Sequence, residues 1–218
     1  MKKIFEGVYK ENGNIYTINL VKDHKVYGEK IVEKNGIQYR CWDFWRSKLA
    51  AAIKKGLKNF PFNESSKVLY LGASTGTTVS HLSDICKKGI IYAVEISEKM
   101  MEKLIILAEK RQNIVPILAD ARKPDFYKEV GKVDIIYQDL AQRDQDMILI
   151  KNVKMFFPEH VFLCLKSHSI DVKKDKKETL EEALKSINTN LIDFETLEVI
   201  DLNPYDKEHY FIYIRKIE

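Results

Sequence analysis

Residues 67–78 read Lys67-Val68-Leu69-Tyr70-Leu71-Gly72-Ala73-Ser74-Thr75-Gly76-Thr77-Thr78, and their reading decides the fold. Lys67–Leu71 is a short apolar run of strand length. The residues after it are small or hydroxylated, and the glycines let the backbone come close to a ligand. From Thr77 to Lys87 the pattern turns helical. The loop is neither a G-x-G-x-x-G fingerprint nor a Walker A loop, since no Gly-Lys-Ser/Thr follows, and the missing third glycine argues against a nicotinamide dinucleotide.

Outward from this unit, strands and helices alternate. Ile90–Glu95, Val115–Ala119, Val133–Gln138 and Val161–Leu165 read as strands. Glu98–Arg111, Asp144–Lys151 and Glu178–Ile187 read as helices. Such alternation predicts a mostly parallel sheet covered on both faces. Thr196–Leu202 and Tyr210–Arg215 have no helix-length spacer between them, which predicts an antiparallel hairpin at the sheet edge. Ahead of Lys67, Ser47 is placed to cap a helix from Lys48 to about Lys58, rich in alanine and ended by Pro61.

Residues 1–45 have a different texture. Short apolar or aromatic runs (Phe5–Tyr9, Ile15–Leu20, Lys25–Glu29, Ile31-Val32) alternate with turn signals, among them Asn12-Gly13 and Asn35-Gly36. This predicts a small antiparallel β domain over 1–45, followed by an α/β domain over 46–218. The expected fold class is α/β, a Rossmann-like seven-stranded sheet with the small N-terminal antiparallel domain attached.

Composition fits one sizeable domain with an appendage: 218 residues, 45% apolar and 31% charged, with Lys+Arg 36 against Asp+Glu 32 for a net charge of +4. The longest basic stretch, Lys173-Lys174-Asp175-Lys176-Lys177, is broken by an acid and reads as a solvated face rather than a nucleic-acid arm. Cys41, Cys86 and Cys164 are far apart, which disfavours a disulfide framework or a zinc ribbon, and no metal site is expected. No run of about 18 apolar residues exists and Met1-Lys2-Lys3 leads into no signal core, so a soluble, cytoplasmic protein without membrane attachment is expected.

Ligands of an open α/β sheet sit at the carboxyl ends of its strands. Glu95 follows the second strand of the α/β region, 23 residues after Gly72, near the roughly 20-residue offset at which an acid meets ribose hydroxyls. Asp120 follows the third and reads equally as an acceptor for the exocyclic amine of adenine or as a helix cap. Asp139 follows the fourth strand and faces the crevice. Lys166 follows the fifth, beside an apolar run whose desolvation lowers a lysine's pKa and can make it a base near neutral pH. An uncharged loop beside a nucleoside, with no phosphate-clamping lysine, suits S-adenosyl-L-methionine better than a nucleotide.

The blocks Arg46–Ala51, Gly72–Asp84, Tyr92–Glu95, Asp120–Pro124, Val133–Asp139, Lys166–Asp171 and Pro204–His209 together resemble fibrillarin in its archaeal fibrillarin-like form, in order from about residue 40 onward. The resemblance implies an S-adenosyl-L-methionine-dependent RNA ribose 2′-O-methyltransferase acting on pre-rRNA and tRNA, the catalytic subunit of a box C/D ribonucleoprotein. Its implied partners are a box C/D guide RNA, the target rRNA or tRNA, a Nop-domain scaffold protein and a kink-turn-binding ribosomal-type protein. By motif, the family's catalytic set falls on Lys48, Asp139, Lys166 and His209. The cofactor positions fall on Gly72, Ala73, Thr77, Thr78, Glu95, Ile96, Asp120, Ala121, Asp139 and Gln142.

This sequence departs from the family where a Trp-Asn-Pro turn is usual: here it reads Trp42-Asp43-Phe44-Trp45, which removes a rigid turn ahead of Lys48. Arg143 stands where a proline is usual and reads as an RNA contact or a solvated residue. Arg40, Arg46 and Arg143 are the expected RNA-binding arginines, with Lys48 beside them. Lys166 is expected to take the hydroxyl proton, Lys48 and Asp139 to set its charge and orientation, and His209 to orient the ribose or phosphate. His168 reads as a loop histidine. The competing readings are a methyltransferase of a small molecule or protein, a non-catalytic cofactor-binding subunit, and a small dehydrogenase.

Overall fold

The computed structural model describes residues 1–167 and 175–217. Five short strands open the chain: β1 Lys2–Phe5, β2 Val8–Glu11, β3 Asn14–Ile18, β4 Ile31–Lys34 and β5 Ile37–Trp42. They form an antiparallel sheet of order β1-β2-β3-β5-β4. The Asn-Gly steps make the β2–β3 and β4–β5 turns, with Asn12, Gly13, Asn35 and Gly36 all at positive φ. Two expectations fail here. The Phe5–Tyr9 run is split between β1 and β2 by a turn at Gly7, φ +68°. Lys25–Glu29 is not a strand, because the Val26 and Tyr27 amides donate to the Glu29 carboxylate (2.8–3.0 Å) rather than to a neighbouring strand.

The second sheet holds β6 Lys67–Leu71, β7 Ile90–Glu95, β8 Ile114–Leu118, β9 Ile135–Gln138, β10 His160–Lys166, β11 Phe194–Asp201 and β12 His209–Lys216. Its order is β11-β12-β10-β9-β6-β7-β8. The five strands from β10 to β8 are mutually parallel. β12 lies antiparallel between β10 and β11, so the expected edge hairpin forms with its second strand turned inward.

The strands of the α/β region match their sequence-based bounds to within a residue or two. The helices are α1 Lys48–Lys54, α2 Thr77–Ile85, α3 Glu98–Lys110, α4 Gln145–Phe156 and α5 Lys176–Asn190. Ser47 caps α1 as expected, its hydroxyl accepting from the Ala50 amide. The helix ends at Lys54, short of the predicted Lys58, where Gly56 takes φ +101°. A 3-10 helix at Pro124–Val130 was not anticipated, its proline at the start and aromatic content giving no clean period.

Alternate residues of the central strands serve different layers. Val68 and Tyr70 of β6 pack in one cluster with Leu49, Val79, Leu82, Leu104 and Leu107 of α1, α2 and α3. Leu69 and Leu71 pack in the other with Ile148 and Leu149 of α4 and with Leu180 and Ile187 of α5. Burial on both faces is why these strands read as continuous apolar runs. Val8, Ile15 and Trp42 of the small sheet belong to the first cluster, so the two sheets share one core. Cys164 lies in that core, as its apolar neighbours suggested.

Candidate functional site

The chain builds β6, β7 and β8 outward on one side, then crosses back to build β9 and β10 on the other. The reversal falls between β6 and β9, where open α/β sheets form their ligand crevice. Gly72 leaves β6 and Asp139 leaves β9 into that crevice. The Asp139 amide donates to Leu71 O (2.9 Å), and a Cβ on Gly72 would stand 2.2 Å from the Asp139 carbonyl oxygen. With φ at +84°, the position admits only glycine without rearrangement.

Six of the residues expected to touch a cofactor line one narrow hollow of about 30 Å³: Gly72, Glu95, Ile96, Asp120, Ala121 and Gln142, joined by Arg122 and Leu140. Glu95 is held by amides at both oxygens, from Ser74 (2.7 Å) and Ser97 (2.9 Å). Each carboxylate oxygen keeps lone pairs for a further donor. Asp120 accepts from the Arg122 amide (2.9 Å), and the Arg122 side chain is drawn to Asp144 (2.9 Å) and to Gln142 Oε1 (2.8 Å). Gln142 is thus anchored through Arg122. Ile96 presents an exposed aliphatic side chain at the rim.

This donor set fits an adenosyl group: one fixed carboxylate for sugar hydroxyls, a second for an amine, an aliphatic wall for a ring and, among the described residues, one lining cation, Arg122, already held by Asp144 and Gln142. Four expected cofactor residues lie outside that hollow: Ala73, Thr77, Thr78 and Asp139. Ala73 is buried, its amide bonded to Val94 O (3.0 Å). Thr77 faces a separate cavity beside Tyr27 and Lys103. Thr78 spends its hydroxyl on Ser47 Oγ (2.9 Å), tying the glycine-containing loop to the cap of α1.

That tie positions Lys48, the first residue of α1. Its ammonium contacts Asp139 Oδ1 at 2.8 Å and Oδ2 at 3.0 Å. Burial opposes the charged form of Lys48, but the Asp139 carboxylate and, more weakly, Asp206 outweigh it and hold the amine well above its ordinary value. Lys48 is therefore a fixed cation. The turn before it is stiff despite the absent proline, because Asp43 Oδ1 accepts from the Trp45 amide (2.8 Å) and Asp43 O from the Arg46 amide (3.2 Å).

Lys166 ends β10 directly opposite His209 of β12 in the antiparallel register, so the two side chains share a face. Gln145 clamps the Lys166 backbone, accepting from its amide (2.9 Å) and donating to its carbonyl (3.0 Å). Among the described residues Lys166 forms no ion pair. Asp139 takes its cation from Lys48 instead.

His209 is largely buried, and its Nδ1 stands 2.5 Å from Asp206 Oδ1, while Asp206 Oδ2 is 4.0 Å from Lys48 Nζ. Asp206 lies inside the Pro204–His209 block, where the sequence alone gives it no role. The available signal was a carboxylate three residues before the histidine in a short connection between two strands.

Arg40 is a correction. Instead of facing RNA it is fully buried, with Nε 2.7 Å from Glu29 and Nη1 2.7 Å from Asp84. An arginine on a half-buried strand of a sheet that packs onto α2 faces the core, and its guanidinium persists there only because two carboxylates meet it. Arg46 and Arg143 are exposed. His168 lies outside the described residues, as do Ser169, Ile170 and Asp171 of the same block.

The family profile described as Fibrillarin matches residues 1–218. A protein of Methanopyrus kandleri named fibrillarin-like rRNA/tRNA 2′-O-methyltransferase is 48% identical over 94% of this chain and 91% of its own length. A crystal structure of Aeropyrum pernix fibrillarin with natively bound S-adenosyl-L-methionine superimposes with TM-score 0.85 at 40% identity, covering 92% of this chain and 88% of that one. A fibrillarin/Nop5p complex contains a chain similar to this one with TM-score 0.90 and 42% identity, covering 99% of this chain and 100% of that one.

Proposed function

The chain belongs to the fibrillarin family, and from that membership we propose that it is an S-adenosyl-L-methionine-dependent RNA ribose 2′-O-methyltransferase acting on rRNA and tRNA. We place it as the catalytic subunit of a box C/D guide-RNA particle in the cytoplasm of an archaeal cell, docked on a Nop-domain scaffold beside a kink-turn-binding protein. The observation that carries the catalytic reading is the Lys48–Asp139 ion pair (2.8 Å) at the switch point of the sheet, with the Lys166–His209 strand pair beside it.

When bound, the cofactor supplies an electrophilic methyl group on a sulfonium. Glu95 would hold the ribose hydroxyls of the adenosyl group and Asp120 its exocyclic amine, with Ile96, Ala121 and Gln142 around the ring. Gly72, Ala73, Thr77 and Thr78 shape the loop that sets its depth.

Lys48 contributes a fixed positive charge, and Asp139 holds that charge in place at the mouth of the crevice. Lys166 removes the proton from the ribose 2′ oxygen as that oxygen becomes nucleophilic, and His209 holds the sugar or its phosphate. Arg46 and Arg143 are exposed and meet the RNA backbone, where contacts position the strand without reading sequence. Selection of the nucleotide falls to guide pairing.

Reconstitution tests this. The chain, guide RNA, scaffold, kink-turn protein and methyl-labelled cofactor should label one chosen nucleotide, and a substrate with a 2′-deoxy sugar at that nucleotide should accept nothing. Lys166→Ala should keep cofactor affinity and lose turnover by about 10²–10⁴-fold, the usual worth of a proton acceptor. Label on the deoxy substrate, or full turnover in the variant, refutes the assignment.

A further inference from the structure

Asp206 sits where three parts of the reacting end meet. It lies in the connection between β11 and β12, three residues before His209. One of its oxygens is 2.5 Å from His209 Nδ1 and the other is 4.0 Å from the Lys48 ammonium, which is itself fixed by Asp139. The four groups form one chain, Asp139–Lys48–Asp206–His209, that ties the end of β9 and the start of α1 to the start of β12. Nε2 of His209 has no partner among the described residues, although the ring is largely buried. A buried imidazole with one nitrogen bonded and the other free is set to present the free one to something that arrives.

We propose that Asp206 is a positioning residue of the methyl-transfer site. Its carboxylate accepts the Nδ1 proton of His209, fixes that tautomer and ring orientation, and so presents Nε2 to the acceptor nucleotide, while its second oxygen steadies Lys48. The inference rests on the RNA-methyltransferase reading for its catalytic consequence, but not for the tautomer.

A neutral imidazole has one donor and one acceptor nitrogen, and the partner of one decides the role of the other. A carboxylate only accepts, so Nδ1 must be the protonated nitrogen whether His209 is neutral or charged. Asp206 stays ionised to do this. Burial pushes its carboxyl upward, but the His209 hydrogen bond and the nearby His209 and Lys48 charges bring it below its ordinary value. Asp206 reaches neither the crevice hollow formed by Gly72, Glu95 and Asp120 nor its cofactor residues. Its loss should therefore leave cofactor binding intact.

Three variants separate the roles. Asp206→Asn keeps an acceptor oxygen but loses the charge, Asp206→Ala loses both, and Asp206→Glu restores the carboxylate on a longer arm. In the free wild-type protein, nitrogen-15 spectra should show His209 protonated at Nδ1. In Asp206→Ala that signature should be lost or mixed, with the melting temperature serving as the control for folding. In the reconstituted particle, Asp206→Ala should lower kcat by roughly 10–100-fold, in the range seen when the partner orienting a functional histidine is removed. The KM for the cofactor should stay unchanged, with a smaller loss for Asn and partial recovery for Glu.

A folded Asp206→Ala protein with the wild-type tautomer and kcat overturns the proposal. So does a wild-type protein whose His209 is protonated at Nε2 alone. If the wild-type particle transfers no methyl group to any ribose, the functional reading fails instead, and the tautomer measurement still decides the role of Asp206.

Discussion

The ammonium of Lys48 and the carboxylate of Asp139 come from positions 91 residues apart and meet at 2.8–3.0 Å. Among the described residues neither has another partner as close, so each fixes the other. The pair is partly buried, where an ion pair is screened less than at the surface. Replacing Asp139 by Asn leaves the Lys48 cation without its counter-charge and weakens its hold on the crevice mouth. The expected result is a protein that folds but turns over about 10- to 100-fold more slowly, read from kcat in the assembled particle. An unchanged rate removes Asp139 from the site. At this scale the strand-end positions of Gly72, Glu95, Asp120, Asp139 and Lys166 were legible in the sequence, because each ends or closely follows a strand. Asp206 was not, because nothing local links a loop carboxylate to a lysine on a distant helix.

At the scale of elements, α2 joins the two sheets through a buried polar cluster. Asp84 of α2 receives Arg40 of β5 (2.7 Å), Arg111 beyond α3 (2.6 Å) and the hydroxyl of Thr17 of β3 (2.7 Å). His81, one turn earlier on α2, stacks on Trp42 at 4.8 Å and is bonded to Thr17 (2.8 Å) and Tyr27 (2.7 Å). Burial first, then the Arg40 and Arg111 cations, hold its imidazole well below its ordinary value of 6.5. The unfolded chain takes up a proton at His81 near that value while the folded protein does not.

More protons bound by the unfolded state means that stability rises with pH across the window. The contribution is complete above about pH 6.5 and declines as the pH falls below it, by at most roughly 1.4 kcal/mol per pH unit. Denaturant titrations at pH 7 and pH 5 should show this loss, and His81→Gln should flatten it. The Thr-Thr-Val-Ser-His block was legible as a motif, but its histidine serves this junction rather than the crevice.

For the whole molecule, one layered core supports both sheets, and the site lies where strand order reverses. The net charge of +4 is modest for a protein that handles RNA. Each phosphate contact adds affinity that salt removes, and so small a net charge leaves little excess of cations for such contacts. The isolated chain is therefore expected to methylate bare RNA poorly and the assembled particle well. A comparison of label incorporation at one salt concentration checks this. Equal rates with and without scaffold and guide would contradict it.

Hydrophobic periodicity and the small-residue loop at Gly72–Thr78 determined by themselves the order of strands and helices and the residues at the strand ends, because these are properties of short segments. Burial of Arg40, the placement of β12 between β10 and β11, and the chain linking Asp139 to His209 through Lys48 and Asp206 were decided by the tertiary structure alone. Each depends on which distant segments are brought together when both faces of the sheet are covered, and no local pattern carries that distance.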